Sequence, residues 1–225
     1  MNEIWLSPSD LTFFWTDSRL GFYDKYVHKI HRPKLPFPAM FNTIDSCMKK
    51  AFDQACPTTI VTGAPEGTIQ HNDINVQSKL ITLGDFQIGF KGKMDCLLHT
   101  KDGGHYIVDY KTAHISDTLK NIYFLQLMAY AFCLEKPLHG NPKKVDGIGL
   151  IAFHPNKFDF ELNQGNLSGE MAWVPMEYDK IKFGSWLTNE LKPLLHSARE
   201  NVFVTDNDAS WNKYIQSFDV EEIPD

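Results

Sequence analysis

The spacing of hydrophobic and polar positions predicts helices near both ends of the chain and strands between them. Large apolar side chains recur at helical intervals over residues 7–27, after a Ser-Pro start, and over residues 41–55. The proline-rich residues 32–40 separate these two helices, because each proline removes a backbone donor. Residues 58–80 are polar and rich in turn-forming residues, so they predict no regular element.

The middle of the chain follows a strand pattern. Residues 85–100 and 105–112 flank the double glycine Gly103-Gly104, which suits a tight hairpin turn. Residues 145–155 and 170–178 are apolar enough to form two further strands of the same core.

Two more helices complete the pattern. Residues 115–135 predict a long helix with Ser116 or Asp117 as its N-cap, and residues 179–200 predict a last helix with Pro193 as a candidate kink. Strands in the middle with helices on either side indicate an α/β fold, with a mixed central β-sheet flanked by α-helices.

The composition suits a packed protein. Hydrophobic residues make up 43% and aromatic residues 13% of the 225 positions, which is ample for a core. We expect one domain spanning residues 1–225, with a core over residues 38–200 on which an N-terminal helix (residues 7–30) and a C-terminal segment (residues 201–225) pack. No apolar run approaches the ~18 residues of a membrane helix, and the first residues lack a signal-peptide pattern, so we expect a cytosolic protein without a membrane partner.

The four cysteines, at positions 47, 56, 96 and 133, form no Cys-x-x-Cys pair. Scattered cysteines of this kind indicate buried free thiols, and they disfavour a disulfide framework or a zinc site.

The net charge of −6 is unevenly distributed. Six carboxylates against one lysine give residues 201–225 a charge of −5, so residues 1–200 carry only −1. Within that part, Lys25, Lys29, Arg32 and Lys34 form a basic cluster that could hold phosphates. The same cluster could equally be a solvated loop, as groups of four cations are common on protein surfaces.

Polar residues on two neighbouring strands carry the candidate chemistry. Because strand side chains alternate, Asp109 and Lys111 share one face of residues 105–112, and Asp95 lies on the corresponding face of the preceding strand. If the hairpin closes at the double glycine, the two carboxylates meet, and a hard divalent cation such as Mg²⁺ or Mn²⁺ is the simplest way to neutralise them. The alternative is a solvent-facing ion pair worth about 0.2–1 kcal/mol.

The helix that follows contains a polar pair in an apolar setting. Gln126 and Tyr130 are four residues apart and therefore lie on one helical face. A glutamine in such a place either makes an internal hydrogen bond or contacts a substrate.

The order of these motifs resembles a known family. Gly92-x-x-Asp95, a strand ending in Asp109-Tyr110-Lys111-Thr112, and Gln126-x-x-x-Tyr130 together look like the PD-(D/E)XK nuclease superfamily, and more narrowly its RecB-type exonuclease domains. The resemblance is clearest over Gly92 to Phe132 and implies a restriction-endonuclease-like core.

The resemblance also implies roles for individual residues. Asp95 and Asp109 would ligate the metal together with the Tyr110 carbonyl, and Lys111 would orient the attacking water and steady charge on the scissile phosphate. Gln126 and Tyr130 would contact the DNA backbone or the surroundings of Lys111. Further candidate DNA contacts are Lys25, Lys29, Arg32 and Lys93.

Two departures from the family pattern matter. Many relatives carry a metal-binding histidine on the helix before the sheet; its nearest counterpart here is Asp45, with His71 as the weaker alternative. Many relatives also hold an iron–sulfur cluster on terminal cysteines, which the corresponding segments of this chain lack, so no cluster is expected. The two ends would then hold together by packing, with these candidates: Trp15, Phe22, Trp211 and Tyr214.

The sequence therefore predicts an Mg²⁺- or Mn²⁺-dependent DNA exonuclease acting in DNA repair, recombination or phage DNA metabolism. A helicase or recombination protein would be a natural partner. Two alternatives stay open: a nuclease-fold protein that binds nucleic acid or a partner without cutting, and an unrelated metal-dependent hydrolase of small phosphoesters.

Overall fold

The computed structural model describes residues 2–17, 19–31, 38–162 and 164–199. Within these residues, seven strands form one sheet. The strands are β1 (Asn2–Leu6), β2 (Thr68–Gln77), β3 (Ile81–Leu83), β4 (Phe86–His99), β5 (His105–Thr112), β6 (Val145–Glu161) and β7 (Gln164–Met176).

Helices lie before, between and after the strands. They are α1 (Pro8–Asp17), α2 (Arg19–Tyr23), a π-helical turn (Asp24–His28), α3 (Ala39–Phe52), a 3₁₀ turn (Pro57–Thr59), α4 (Thr118–Glu135), α5 (Lys180–Trp186), a second π-helical turn (Leu187–Leu191) and α6 (Lys192–Arg199).

The sheet is mixed and is organised around the long strand β4. Along one edge of β4, β2 and β3 pair with it in antiparallel fashion. Along the other edge, β1 pairs in parallel with its first half and β5 pairs antiparallel with its second half. The order continues through a parallel β5–β6 pair and an antiparallel β6–β7 pair. This arrangement confirms the predicted α/β fold with a mixed central sheet.

Alternation along β5 divides the core into two layers. Ile107 belongs to a large cluster with α1, α4 and α5, whereas Val108 and Tyr110 belong to a smaller cluster with α3. Helix α4 is deeply buried, since ten of its eighteen residues are buried. The helix that carries the Gln126 and Tyr130 pair is therefore fixed firmly against the sheet.

Several elements differ from the sequence prediction, among them the short strand β3, which was not predicted. Strand β1 precedes the first helix, β2 occupies a segment predicted to be irregular, and β6 and β7 extend beyond the predicted strands into a long hairpin arm. The arm is solvent-exposed, with Phe160 and Leu162 80% and 91% exposed, so it has no burial pattern to mark it. The last helix is interrupted by a π-helical turn that ends at Leu191, two residues before Pro193. Proline has no backbone N–H, so Pro193 cannot donate the hydrogen bond that continues an α-helix.

Candidate functional site

The candidate site lies where β4 and β5 separate. Their ladder runs from His99 and His105 to Cys96 and Val108, where it ends. The next residues, Asp95 on β4 and Asp109 on β5, therefore stand opposite each other at the fork. The strands that were predicted to bring the two carboxylates together do so.

The two carboxylates are held by backbone and side-chain contacts. The Tyr110 N–H donates to Asp95 Oδ2 at 3.2 Å, and Gln126 Nε2 donates to Asp109 Oδ1 at 3.4 Å. The Lys111 ammonium lies against Asp109 Oδ2. Asp109 is the more buried carboxylate, with a side chain 3% exposed against 20% for Asp95.

Burial gives the two acids different proton affinities. Burial raises the pKa of Asp109 to about 7, against the opposing effect of the Lys111 ammonium, and the neighbouring Asp95 adds to the rise. Burial also acts to raise the pKa of Asp95, but contact with Asp109 and the ammonium groups of Lys111 and Lys49 hold it below its usual range. The pair therefore tends to share a single proton when no divalent cation neutralises it.

Lys111 stays charged in this setting. Burial lowers its pKa, but Asp109 and then Asp95 raise it further, and the net direction is upward. Its ammonium also lies 4.9 Å from the ring centroid of Tyr123. A lysine with a raised pKa suits charge stabilisation and orientation of a water molecule better than proton abstraction.

Gln126 and Tyr130 act on the site from within the core. Gln126 is 4% exposed and links Asp109 to Thr12 of α1, whose Oγ1 donates to Gln126 Oε1 at 2.9 Å. Tyr130 is 3% exposed, and its hydroxyl donates to the Lys93 carbonyl at 2.7 Å. The prediction of direct DNA contacts by these two side chains is corrected, because both are buried and neither is accessible to a DNA backbone.

Gly92 is needed for the packing of β4 against these helices. A Cβ placed there would lie 2.8 Å from Cδ of Pro8 and 3.4 Å from the Tyr130 ring. The glycine of the Gly92-x-x-Asp95 motif thus allows β4 to approach α1 and α4 closely, which sets the position of Asp95.

A second acidic group surrounds Lys49 of α3. The Lys49 ammonium lies 3.0 Å from Asp45, 3.0 Å from Asp73 and 3.2 Å from Asp95. Burial lowers the pKa of Lys49, but the three carboxylates outweigh it and raise it overall. Lys49 therefore bridges Asp95 and Asp45, the nearest counterpart of the family histidine.

Sequence reasoning did not single out Lys49 or Asp73. The only signal for Lys49 was its position four residues after Asp45, on the same helical face. Asp73 has a left-handed backbone conformation (φ 67°) near an irregularity in β2, and no pattern in that polar strand pointed to it. His71, the alternative metal ligand, lies in β2, and its side chain is outside the described part of the structure.

The residues present fit a divalent cation at the fork. Asp109 Oδ2 is buried and makes no well-formed hydrogen bond to a described residue, despite the adjacent ammonium. The N–H of Tyr110 points to Asp95, and because the N–H and C=O of a strand residue point to the same edge, the Tyr110 carbonyl could serve as a further ligand, which stays a prediction. The described side chains contain no group of three or more His, Cys, Asp or Glu that could hold a metal. Mg²⁺ commonly retains several water ligands and binds through one or two carboxylates.

The predicted basic contacts near the N-terminus have other partners. Lys25 lies 2.5 Å from Asp10, and Lys29 donates to the Tyr26 carbonyl at 2.8 Å. Lys25 is half-buried in this ion pair and Lys29 is exposed, and DNA binding by either lysine stays a prediction. Arg32 lies outside the described residues, and Lys93 is 56% exposed and pairs with Asp73 at 3.1 Å.

The four cysteines are free thiols, but only two match the predicted burial. Cys96 and Cys133 are buried, Cys56 is partly buried and Cys47 is exposed. Of the aromatic residues predicted to join the two ends, Phe22 is fully buried against Tyr26. The side chain of Trp15 and residues 200–225, which include the other two candidates, are outside the described structure.

Comparison with known proteins identifies the family. A family model described as the PD-(D/E)XK nuclease superfamily matches residues 38–212, which is more than three quarters of the chain. The chain therefore belongs to the PD-(D/E)XK nuclease superfamily.

Other comparisons support the fold alone. No curated protein matches the chain. Twelve chains of known structure do, and one is "Crystal structure of SSO0001", with a TM-score of 0.50 and 11% identity over 89% of this chain and 77% of that one. At this identity the likeness extends to the fold and not to function.

Membership of this superfamily indicates a nuclease that hydrolyses DNA, and such nucleases generally use divalent metals such as Mg²⁺. No helix in the described parts of the chain is both long and apolar enough to cross a membrane.

Proposed function

We propose that this protein is a metal-dependent DNA exonuclease of the RecB type, using Mg²⁺ or Mn²⁺. The observation that carries the proposal is the convergence of Asp95, Asp109 and Lys111 at the fork between β4 and β5. The order of the Gly92-x-x-Asp95, Asp109-Tyr110-Lys111 and Gln126-x-x-x-Tyr130 motifs supports the RecB type within the superfamily.

In this proposal the chain's own residues hold the ion and position the reacting groups. Asp95, Asp109 and the Tyr110 carbonyl are the protein ligands. A divalent cation bound there supplies neutralising charge for the phosphate and lowers the pKa of a bound water. Lys111, kept charged by its two carboxylates, orients that water and stabilises the negative charge that develops on the phosphate oxygens.

The buried pair on α4 supports this machinery. Gln126 fixes the orientation of Asp109 through Oδ1, and the bound ion would share Oδ2 with the Lys111 ammonium. Tyr130 fixes the backbone of β4 at Lys93, two residues from Asp95. Both are positioning residues that set the separation of the two carboxylates.

Cleavage of internally labelled DNA, single- or double-stranded and linear or circular, tests the proposal in the presence of Mg²⁺ or Mn²⁺. Loss of linear DNA with circles spared is expected, and chelation or Lys111→Ala should abolish it. The chain offers a matched control in Lys157 and Asp159, an exposed pair two residues apart on β6 with a 2.8 Å contact. Lys157→Ala should cut like the wild type, and equal activity of Lys111→Ala and wild type would refute the assignment.

A second function is favoured by the ammonium groups at the site. Lys111 and Lys49 already neutralise Asp109 and Asp95, and the nearest counterpart of the family histidine is an aspartate, Asp45. A protein of this kind could bind DNA without cutting it. It would bind labelled DNA equally well with and without Mn²⁺, and it would leave every DNA substrate intact.

A further inference from the structure

In the described part of the chain, a groove beside β2 is lined by basic residues and by no acidic ones. It has a volume of about 780 Å³ and lies between β2, β4, the end of α4 and the loop that follows α4. Lys91, Lys93, His139 and Lys143 line it, and no Asp or Glu is among its lining residues. We refer to it as the lysine groove.

Within the described residues, two of its three lysines lack an ion pair of the kind that the third, Lys93, makes with Asp73 at 3.1 Å. Lysines elsewhere are commonly neutralised by a carboxylate, as Lys101 is by Glu66 at 2.9 Å. Lys91 and Lys143 are exposed and form no ion pair with any residue the structure describes. Uncompensated cations on the walls of one groove focus positive potential there, although the whole chain has a charge of −6.

The other lining residues match the remaining parts of a nucleotide. Ile74, Val76 and Leu134 give the groove apolar surface, while Asn75 and Gln77 add amide groups. Apolar surface accepts the faces of unpaired bases, amides hydrogen-bond base edges, and lysines hold phosphates. A duplex exposes phosphates and hides its base faces, so the combination favours a single strand.

The walls are fixed in place before any ligand binds. The Leu138 N–H donates to the Gln77 carbonyl at 2.9 Å, and the Lys79 N–H donates to the Lys136 carbonyl at 2.8 Å. These backbone bonds attach the loop after α4 to the end of β2. A preformed groove loses less entropy on binding than a flexible one.

The groove leads to the candidate catalytic fork. Lys93 lines the groove, its carbonyl is held by Tyr130, and Asp95 follows two residues later on the same strand. A strand bound along this part of β4 would therefore pass beside the two carboxylates.

We propose that the lysine groove binds single-stranded DNA next to the site of hydrolysis, with Lys91 and Lys143 on its phosphates. This inference rests on the proposed nuclease function. It extends the DNA contact predicted for Lys93 to Lys91 and Lys143, which the sequence did not single out.

Fluorescence anisotropy of a labelled single-stranded oligonucleotide in EDTA tests the groove without cleavage. The double variant Lys91→Ala/Lys143→Ala should bind about tenfold more weakly, and the slope of log affinity against log salt should fall by about 1.4, or 0.7 for each lost phosphate contact. The matched control is Lys101→Ala/Lys157→Ala, which removes two exposed lysines outside the groove. It should bind like the wild type.

Equal affinity and salt slope for the groove variant and the wild type would overturn the proposal, as would tighter binding of a duplex than of a single strand. Cleavage with Mg²⁺ separates this outcome from failure of the proposed function. If the wild type binds through the groove but never cuts, the nuclease proposal fails and the groove proposal stands. If the wild type cuts DNA while the groove variant binds DNA normally, the groove proposal fails and the nuclease proposal stands.

Discussion

Replacing the buried carboxyl group of Asp109 by an amide is expected to remove a loss of stability that the metal-free wild type undergoes as the pH rises. The side chain is 3% exposed, and burial raises its pKa from 3.8 to about 7. Asp109→Asn keeps the shape of the protonated acid and removes the charge. Because the folded pKa lies above the unfolded one, the wild-type protein loses stability as the pH rises through this interval.

The size of this loss can be worked out from the pKa difference. The free energy of unfolding falls by about 1.36 kcal/mol for each pH unit over which Asp109 is protonated in the folded state but not in the unfolded state. Between about pH 5 and pH 7, the wild type should lose on the order of 2–3 kcal/mol through Asp109. The variant has no such group at position 109. The difference in free energy of unfolding between variant and wild type should therefore widen by that amount up to pH 7 and change little above it.

Urea unfolding in EDTA, followed by tryptophan fluorescence from pH 5 to pH 8, measures this difference. Asp159→Asn serves as the control, because that carboxylate is exposed on the hairpin arm. A difference that stays constant across the range would refute the argument that burial raises the pKa of Asp109. At pH 8, Mn²⁺ should stabilise the wild type and not Asp109→Asn.

Three further predictions concern the surroundings of the site. Lys49→Met removes the ammonium that neutralises three carboxylates, so it should lower the free energy of unfolding in EDTA by about 1–2 kcal/mol. Mn²⁺ should restore the lost stability, and urea denaturation with and without Mn²⁺ that shows no such recovery would contradict the prediction. Tyr130→Phe, which loses the hydrogen bond to Lys93, should cost about 1 kcal/mol and slow DNA cleavage while Mn²⁺ affinity, measured by calorimetry, is retained. Gly92→Ala should lower thermal stability by about 1–3 kcal/mol, and an unchanged melting temperature would contradict the close packing described above.

The fork could be predicted from sequence because it depends on local rules. β4 and β5 are regular strands joined by a short turn, so alternation and register alone place Asp95 opposite Asp109. The roles of these residues in metal binding and hydrolysis stay predictions until they are measured.

Elements and contacts that depend on distant parts of the chain could not be predicted in this way. Strand β2 pairs only with β4 and is largely polar, so it lacks the apolar alternation that marks a half-buried strand. Lys49 contacts Asp73 and Asp95, which are 24 and 46 positions away in the sequence. Hydrophobic periodicity predicts local elements and not contacts between such distant residues. The pairing of Lys25 with Asp10 likewise depends on how α1 packs, which a charge count does not show.

The arrangement into one domain over residues 1–225, the cytosolic location and a helicase or recombination partner are also untested and stay predictions.

The central claim is that Asp95 and Asp109 jointly hold one divalent cation. Calorimetric titration of Mn²⁺ into the wild type, Asp95→Asn and Asp109→Asn tests it most directly, with Asp159→Asn as the exposed control. We expect one Mn²⁺ site in the wild type and the control, and its loss in each of the two site variants. Undiminished Mn²⁺ binding by either site variant would contradict the claim.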